Sequence, residues 1–130
     1  MVGGLVNAGI NLLIVEDQGY VLDTLDRILL KFPEFKVFRA TDSETAKALI
    51  EEKCPDVLLQ DIYVHGTSGL ELLQLAKIKN PKVSAIIITG AGDADLGEKA
   101  LKEGAWAYVM KPPELDKIET LLELFLMVKR

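Results

Sequence analysis

An α/β fold built on one doubly wound, five-stranded parallel sheet is predicted for this chain, and three observations predict it. Short apolar runs alternate with amphipathic stretches in five successive β-α units. The apolar runs are rich in Leu, Ile and Val, as strands covered on both faces are. The length of 130 residues suits a single domain around one sheet.

Residues 10–15 read as a buried strand. Residues 20–32 place Leu22, Leu25, Ile28, Leu29 and Phe32 on one helical face, and Pro33 ends the helix. Residues 36–40 alternate more weakly, as a strand at a sheet edge does. Thr41-Asp42-Ser43-Glu44 fits a capping box that opens a helix running to residue 53, after which Pro55 breaks the chain. Residues 57–60 form a third strand ending at Asp61, residues 63–69 a loop, and residues 70–79 a helix closed by Asn80-Pro81. Residues 83–89 are the most apolar and β-branched run, which predicts a central strand. A short helix over 94–103 stops at Gly104. Residues 107–110 make the fifth strand and 114–128 the last helix. In that helix Leu115, Ile118, Leu121, Leu122 and Phe125 are expected to face the sheet, with Leu124, Leu126 and Met127 off the stripe. Helices then cover both faces, and the expected strand order is the flavodoxin-like 2-1-3-4-5.

Composition narrows the function classes. Hydrophobic residues make up 49% and charged residues 27%, as in ordinary globular proteins. Twenty acids against fifteen bases leave a net charge of −5, which argues against nucleic-acid binding by this domain itself. Cys54 is the single cysteine, so no internal disulfide forms; a lone thiol fits a reducing cytoplasm, and its plain reading is a small core or loop residue. The uncharged start lacks the basic region of a signal peptide, and no apolar run is long enough to span a membrane. Residues 1–9, with three glycines, are expected to be a flexible leader, and residues 10–130 the domain.

The chemistry gathers at one sheet edge. Glu16 and Asp17 follow strand 1, Asp61 follows strand 3, Thr89 ends strand 4 and Lys111 follows strand 5. All five lie at carboxyl ends of strands, where open α/β sheets bind ligands. Each alone has a plain reading as a cap, a β-forming threonine or a solvated lysine. Together they are three mutually repelling carboxylates that call for positive charge. Lys111 supplies some, and a hard divalent cation, Mg²⁺, suits the oxygen ligands. A hydroxyl (Thr89) and an ammonium (Lys111) beside them make a landing site for phosphoryl oxygens. This is the equipment for in-line phosphoryl transfer onto an aspartate.

Five segments carry a family likeness: Leu12-Leu13-Ile14-Val15-Glu16-Asp17, Asp56-Val57-Leu58-Leu59-Gln60-Asp61, Gly69-Leu70-Glu71-Leu72-Leu73, Ile86-Ile87-Ile88-Thr89-Gly90 and Gly104-Ala105-Trp106-Ala107-Tyr108-Val109-Met110-Lys111-Pro112. They resemble the response-regulator receiver family of two-component signalling over residues 10–128. The resemblance implies that Asp61 takes a phosphoryl group from a sensor histidine kinase or phosphotransfer protein. It implies Mg²⁺ held by Asp17, Asp61 and the backbone carbonyl of Tyr63, with Glu16 acting through a bound water. Thr89 and Lys111 contact the phosphoryl group, Tyr108 turns inward as Thr89 moves, and Lys111-Pro112 matches a cis peptide. The side chains of Tyr63 and Ala91 bear on dephosphorylation. The face formed by the fourth helix, the fifth strand over residues 107–110 and the fifth helix would switch, serving a phosphorylation-dependent homodimer or a downstream output domain. His65 stands where the family usually has proline, and Pro113 where it often has a large apolar residue; the plain reading of His65 is an exposed loop histidine.

The resemblance implies no enzyme in the ordinary sense, since such a domain catalyses only its own phosphorylation and dephosphorylation. A haloacid-dehalogenase-type phosphatase would want spaced aspartates after strand 1 and a cap domain. A flavodoxin-like cofactor binder would want a phosphate-cradling Ser/Thr/Gly loop after strand 1, where Glu16-Asp17 would repel the phosphate. The standing alternative is a pseudo-receiver, a docking module not regulated by phosphorylation. A free-standing regulator and the receiver of a transcription factor or hybrid kinase share this pattern.

Overall fold

The structure is a computed structural model describing residues 9–64, 67–90, 92–112 and 114–129. The expected leader lies outside these residues except for Gly9, and His65, Ala91 and Pro113 lie outside them too. The chain runs β1 (Ile10–Val15), α1 (Gly19–Leu29), β2 (Phe35–Ala40), α2 (Ser43–Lys53), β3 (Val57–Asp61), β4 (Tyr63–Val64), β5 (Thr67–Ser68), α3 (Gly69–Lys79), β6 (Ser84–Thr89), α4 (Ala94–Lys102), β7 (Ala107–Met110) and α5 (Lys117–Lys129). Five strands form one parallel sheet in the order β2-β1-β3-β6-β7, the expected 2-1-3-4-5 topology.

The two-residue period of a strand splits the core in two. Leu12 and Ile14 of β1, Val57 and Leu59 of β3, and Ile86 and Ile88 of β6 pack under α1 and α5. Leu13 and Val15, Leu58, and Ala85 and Ile87 pack under α2, α3 and α4. The three central strands are buried throughout most of their length, which is why their sequences are continuously apolar. Among the described residues no helix is long and apolar enough to cross a membrane.

Several boundaries differ from the sequence expectation. Helix α1 ends at Leu29, and Lys31 and Phe32 close onto Ile28 and Leu29 through tighter turns before Pro33, with Phe32 still buried. The α2 cap is Asp42, whose carboxylate accepts the Thr45 N–H at 2.8 Å, so the capping pair begins one residue later than the predicted box. Cys54 ends α2 in the left-handed region and is exposed, a loop residue. The predicted loop over 63–69 contains an antiparallel ribbon pairing Tyr63 with Ser68 and Val64 with Thr67. Helix α5 starts at Lys117. The chain before it advances by three-residue turns, with Lys117 bonded to Glu114 and Ile118 to Leu115, while the Glu114 carboxylate is occupied by the Met110 N–H at 2.9 Å. Leu115, Ile118, Leu122 and Phe125 are buried as expected and Leu121 partly so; Leu126, expected off the stripe, is buried in the α1–α5 core.

Candidate functional site

Parallel strands deliver their carboxyl ends to one edge, and the polar residues sit there. Glu16 follows β1 directly and is 1% exposed; Asp61 closes β3 at 8%; Lys111 follows β7 at 9%. The Lys111 ammonium donates to Asp61 Oδ2 at 2.9 Å, to Glu16 Oε2 at 3.2 Å and to Gln18 Oε1 at 2.6 Å. Those three contacts use all the donors an ammonium has. Asp61 Oδ1 accepts the Tyr63 N–H at 3.1 Å, and Glu16 Oε2 also accepts the N–H groups of Asp17 and Gln18 at 3.2 and 3.0 Å.

Burial and pairing pull opposite ways on these groups. Burial, the largest influence on Glu16, raises its carboxyl above the usual range and Asp61 adds to this, against the Gln18 hydrogen bond and the Lys111 charge. Burial also works against the Lys111 charge, but the hydrogen bond to Asp61 and the carboxylates of Glu16 and Asp61 outweigh it, so the lysine is held protonated.

An open cleft of about 550 Å³ lies over this cluster, lined by Asp17, Gln18, Tyr20, Asp61, Tyr63, Gly90, Asp93 and Lys111. Glu16, Asp17 and Asp61 each offer a carboxylate oxygen, all within 4.8 Å of one another. Glu16 Oε1 is buried without a hydrogen-bond partner among the described residues. Such an acceptor is costly unless a donor or cation meets it. Clustered hard oxygens with one orphaned acceptor fit Mg²⁺ or a water bound to it.

Two expected residues lie apart from the cleft wall. Thr89 is fully buried, with its hydroxyl donating to the Val109 carbonyl at 3.3 Å, and its own carbonyl accepts the Lys111 N–H at 2.8 Å. Tyr108 lies partly buried beside α4, its hydroxyl donating to Glu98 at 2.9 Å. The Lys111–Pro112 peptide bond is cis. Sequence reasoning passed over Gln18, which shares Lys111 with the carboxylates, and Tyr20 and Asp93, which line the cleft. The lone signal available for Gln18 was its place directly after Glu16-Asp17.

The model of the family described as response regulator receiver domain matches residues 12–123. The chain is 36% identical to the transcriptional regulatory protein MalR of Bacillus subtilis over 87% of the chain and 48% of that protein. It is 27% identical to sporulation initiation phosphotransferase F of the same organism over 91% of the chain and 94% of that protein. The chain thus spans about half the length of the first relative and nearly all of the second. A crystal structure of a response regulator receiver domain protein from Clostridium thermocellum superposes with a TM-score of 0.79 at 27% identity, covering 93% of this chain and 97% of that one.

Proposed function

The chain belongs to the response regulator receiver domain family of two-component signalling, and from that premise we propose that residues 10–130 form a phosphoacceptor switch in which Asp61 takes the phosphoryl group. Response regulators interact with histidine kinases and phosphotransfer proteins, and a phosphohistidine on such a partner is the donor proposed here. The observation that carries the reading is the Asp61–Lys111 contact at 2.9 Å on the floor of an open acidic cleft.

A carboxylate oxygen of Asp61 attacks phosphorus in line with the donor nitrogen. The O–P bond forms as the N–P bond breaks, the electron pair leaves on the imidazole nitrogen, and that nitrogen is protonated from solvent. Lys111 balances the charge that arrives on the phosphoryl oxygens. Tyr63 N–H keeps one Asp61 oxygen oriented, and Gln18 keeps the ammonium in place. Asp17, Asp61 and the Tyr63 carbonyl would hold Mg²⁺, with Glu16 reached through its water; the ion would supply charge neutralisation between the carboxylates and the phosphoryl oxygens. The Thr89 hydroxyl leaves Val109 to contact a phosphoryl oxygen, and Tyr108 follows it inward. Hydrolysis clears the group: a water oxygen attacks phosphorus, the bond from phosphorus to the Asp61 oxygen breaks so that Asp61 leaves as the carboxylate, and one water proton passes to solvent while the other stays on the released phosphate.

The test is intact-mass measurement after incubation with Mg²⁺ and acetyl phosphate. The wild type should gain a single alkali-labile phosphate and Asp61→Asn none. Equal uptake by both overturns the assignment. No uptake by the wild type from any donor leaves the unphosphorylated docking module as the reading.

A further inference from the structure

Gln60 is an amide in a place the fold would fill with leucine. It stands in the central strand β3, fully buried, on the face shared with Leu13, Val15, Leu58 and Ile87. Its Nε2 donates to the Gly69 carbonyl at 2.6 Å, while its Oε1 is buried without a partner among the described residues. A half-satisfied buried amide costs stability. The Gly69 carbonyl opens α3, where helix geometry already supplies it a donor four residues on. The amide is therefore not needed to satisfy that carbonyl.

Its effect is on the segment between Asp61 and α3. Gly69 is tied twice: its N–H donates to the Ile62 carbonyl at 2.8 Å, and its carbonyl accepts from Gln60. Ile62 is itself held to Ile88 of β6 at 2.9 Å. A β-carbon on Gly69 would lie 2.6 Å from Gln60 Nε2 and 2.7 Å from the Ile62 carbonyl, so the close approach requires glycine. The two chain ends locked together here are those of the β4–β5 ribbon, which begins at Tyr63. Tyr63 N–H in turn holds Asp61 Oδ1.

We propose that Gln60 is a positioning residue for the metal: by clamping Gly69 it fixes the base of the segment carrying the Tyr63 carbonyl and so sets how tightly the site holds Mg²⁺. The proposal rests on the metal-assisted phosphoacceptor reading above. Gln60→Met keeps the side-chain length and removes the donor; Gln60→Leu is the second variant should the first fold poorly. Mg²⁺ is titrated into the unphosphorylated proteins and followed by the amide NMR shifts of Asp17 and Tyr63. The expected result is affinity weakened about tenfold, the scale of outer-shell changes at metal sites, with an unchanged or higher Tm. Phosphate uptake from acetyl phosphate should be slow at limiting Mg²⁺ and recover at saturating Mg²⁺. Wild-type Mg²⁺ affinity in both variants overturns the proposal, as does an uptake depressed equally at every Mg²⁺ concentration together with a lowered Tm. A wild type that binds Mg²⁺ yet takes no phosphate overturns the phosphoacceptor reading alone, and the Mg²⁺ affinities of the variants still decide on Gln60. A wild type that binds no Mg²⁺ overturns both.

Discussion

The ring of Tyr108 rests on Gly97: a β-carbon built at Gly97 would lie 2.6 Å from the ring's Cδ1. Beside it, the Tyr108 hydroxyl donates to the Glu98 carboxylate at 2.9 Å. Two neighbouring residues of α4 thus form a seat, one by having no side chain and the other by accepting a hydrogen bond. The proposed aromatic switch has a specific resting place against α4.

The seat has an alkaline signature. The Glu98 hydrogen bond, then burial and the Glu98 charge, raise the Tyr108 phenol above its ordinary value. A carboxylate acceptor favours the protonated phenol, so this contribution to stability is complete below the ordinary tyrosine range and fades as pH rises through the raised value. We expect Glu98→Gln to lower the titration point of Tyr108. Gly97→Ala should lower it too, by pushing the ring off its seat, at a cost of about 1–3 kcal/mol in stability if the ring cannot find another place. Ring NMR signals followed against pH provide the measurement. An unchanged Tyr108 titration in both variants would show that the seat does not hold the ring.

Lys111 is expected to compete with the metal. It is the buried cation between Glu16 and Asp61, at 3.2 and 2.9 Å. Lys111→Met leaves two buried carboxylates facing each other, which should cost about 3–5 kcal/mol in urea unfolding without Mg²⁺. Removing the competing charge should also tighten Mg²⁺ binding, so added Mg²⁺ should restore more stability to this variant than to the wild type. Asp17→Asn should weaken Mg²⁺ binding instead. If Mg²⁺ stabilises Lys111→Met no more than the wild type, the carboxylate cluster is not the metal site.

The contrast between Lys111 and Gln60 marks what was legible in the sequence. Lys111, Asp61, Glu16 and Asp17 could be placed because charged residues at strand ends have one available edge once the strand order is known. Gln18 and Gln60 could not, because an amide's role depends on where it reaches: Gln18 meets Lys111 across 93 residues and Gln60 meets Gly69 across the 61–69 segment. The sheet was legible from five alternating β-α units, which favour this strand order, and from continuous apolar runs such as Leu12–Val15, which mark strands covered on both faces. The β4–β5 ribbon was not, since two-residue strands carry no period. Leu126 was missed because periodicity assigns it to the flank of the α5 stripe, whereas packing against α1 extends the buried arc to cover it.

Tyr63 is expected to prolong the phosphorylated state. Its side chain is 59% exposed and lines the cleft beside Asp61, on the path an attacking water would take. Tyr63→Ala removes little packing, so stability should change by no more than about 0.5 kcal/mol. Dephosphorylation should accelerate severalfold. The decay of the intact-mass phosphate adduct gives the rate directly, and equal decay in the two proteins would end the shielding argument.

The proposed switch face carries apolar surface beside Tyr108. A shallow cleft of about 300 Å³ between β7 and α5 is lined by Ala107, Tyr108, Val109, Lys117, Thr120 and Leu121, so the proposed switch tyrosine forms part of its wall. A displacement of Tyr108 toward Thr89 would change this surface, and on the phosphoacceptor reading phosphorylation would bias that two-state element. The exposed apolar residues at the end of α5 are Leu124, Met127 and Val128; with Trp106, Leu124 and Val128 also border a groove of about 430 Å³ farther along the helix. Contiguous apolar surface of this kind favours association over solvent exposure. We expect a beryllofluoride-loaded protein to dimerise through the α4-β7-α5 face while the unloaded protein stays monomeric, with Trp106 emission changing between the two. Lys117→Glu reverses a charge at the edge of the β7–α5 cleft without touching the phosphorylation site, and should suppress the loaded dimer while leaving phosphate uptake intact. Sedimentation of both proteins with and without beryllofluoride decides. A monomer in every state with constant Trp106 emission rules out a phosphorylation-controlled dimer here and leaves this face to an output domain. A loaded dimer insensitive to Lys117→Glu moves the contact away from the β7–α5 cleft, to the Trp106–Leu124–Val128 groove.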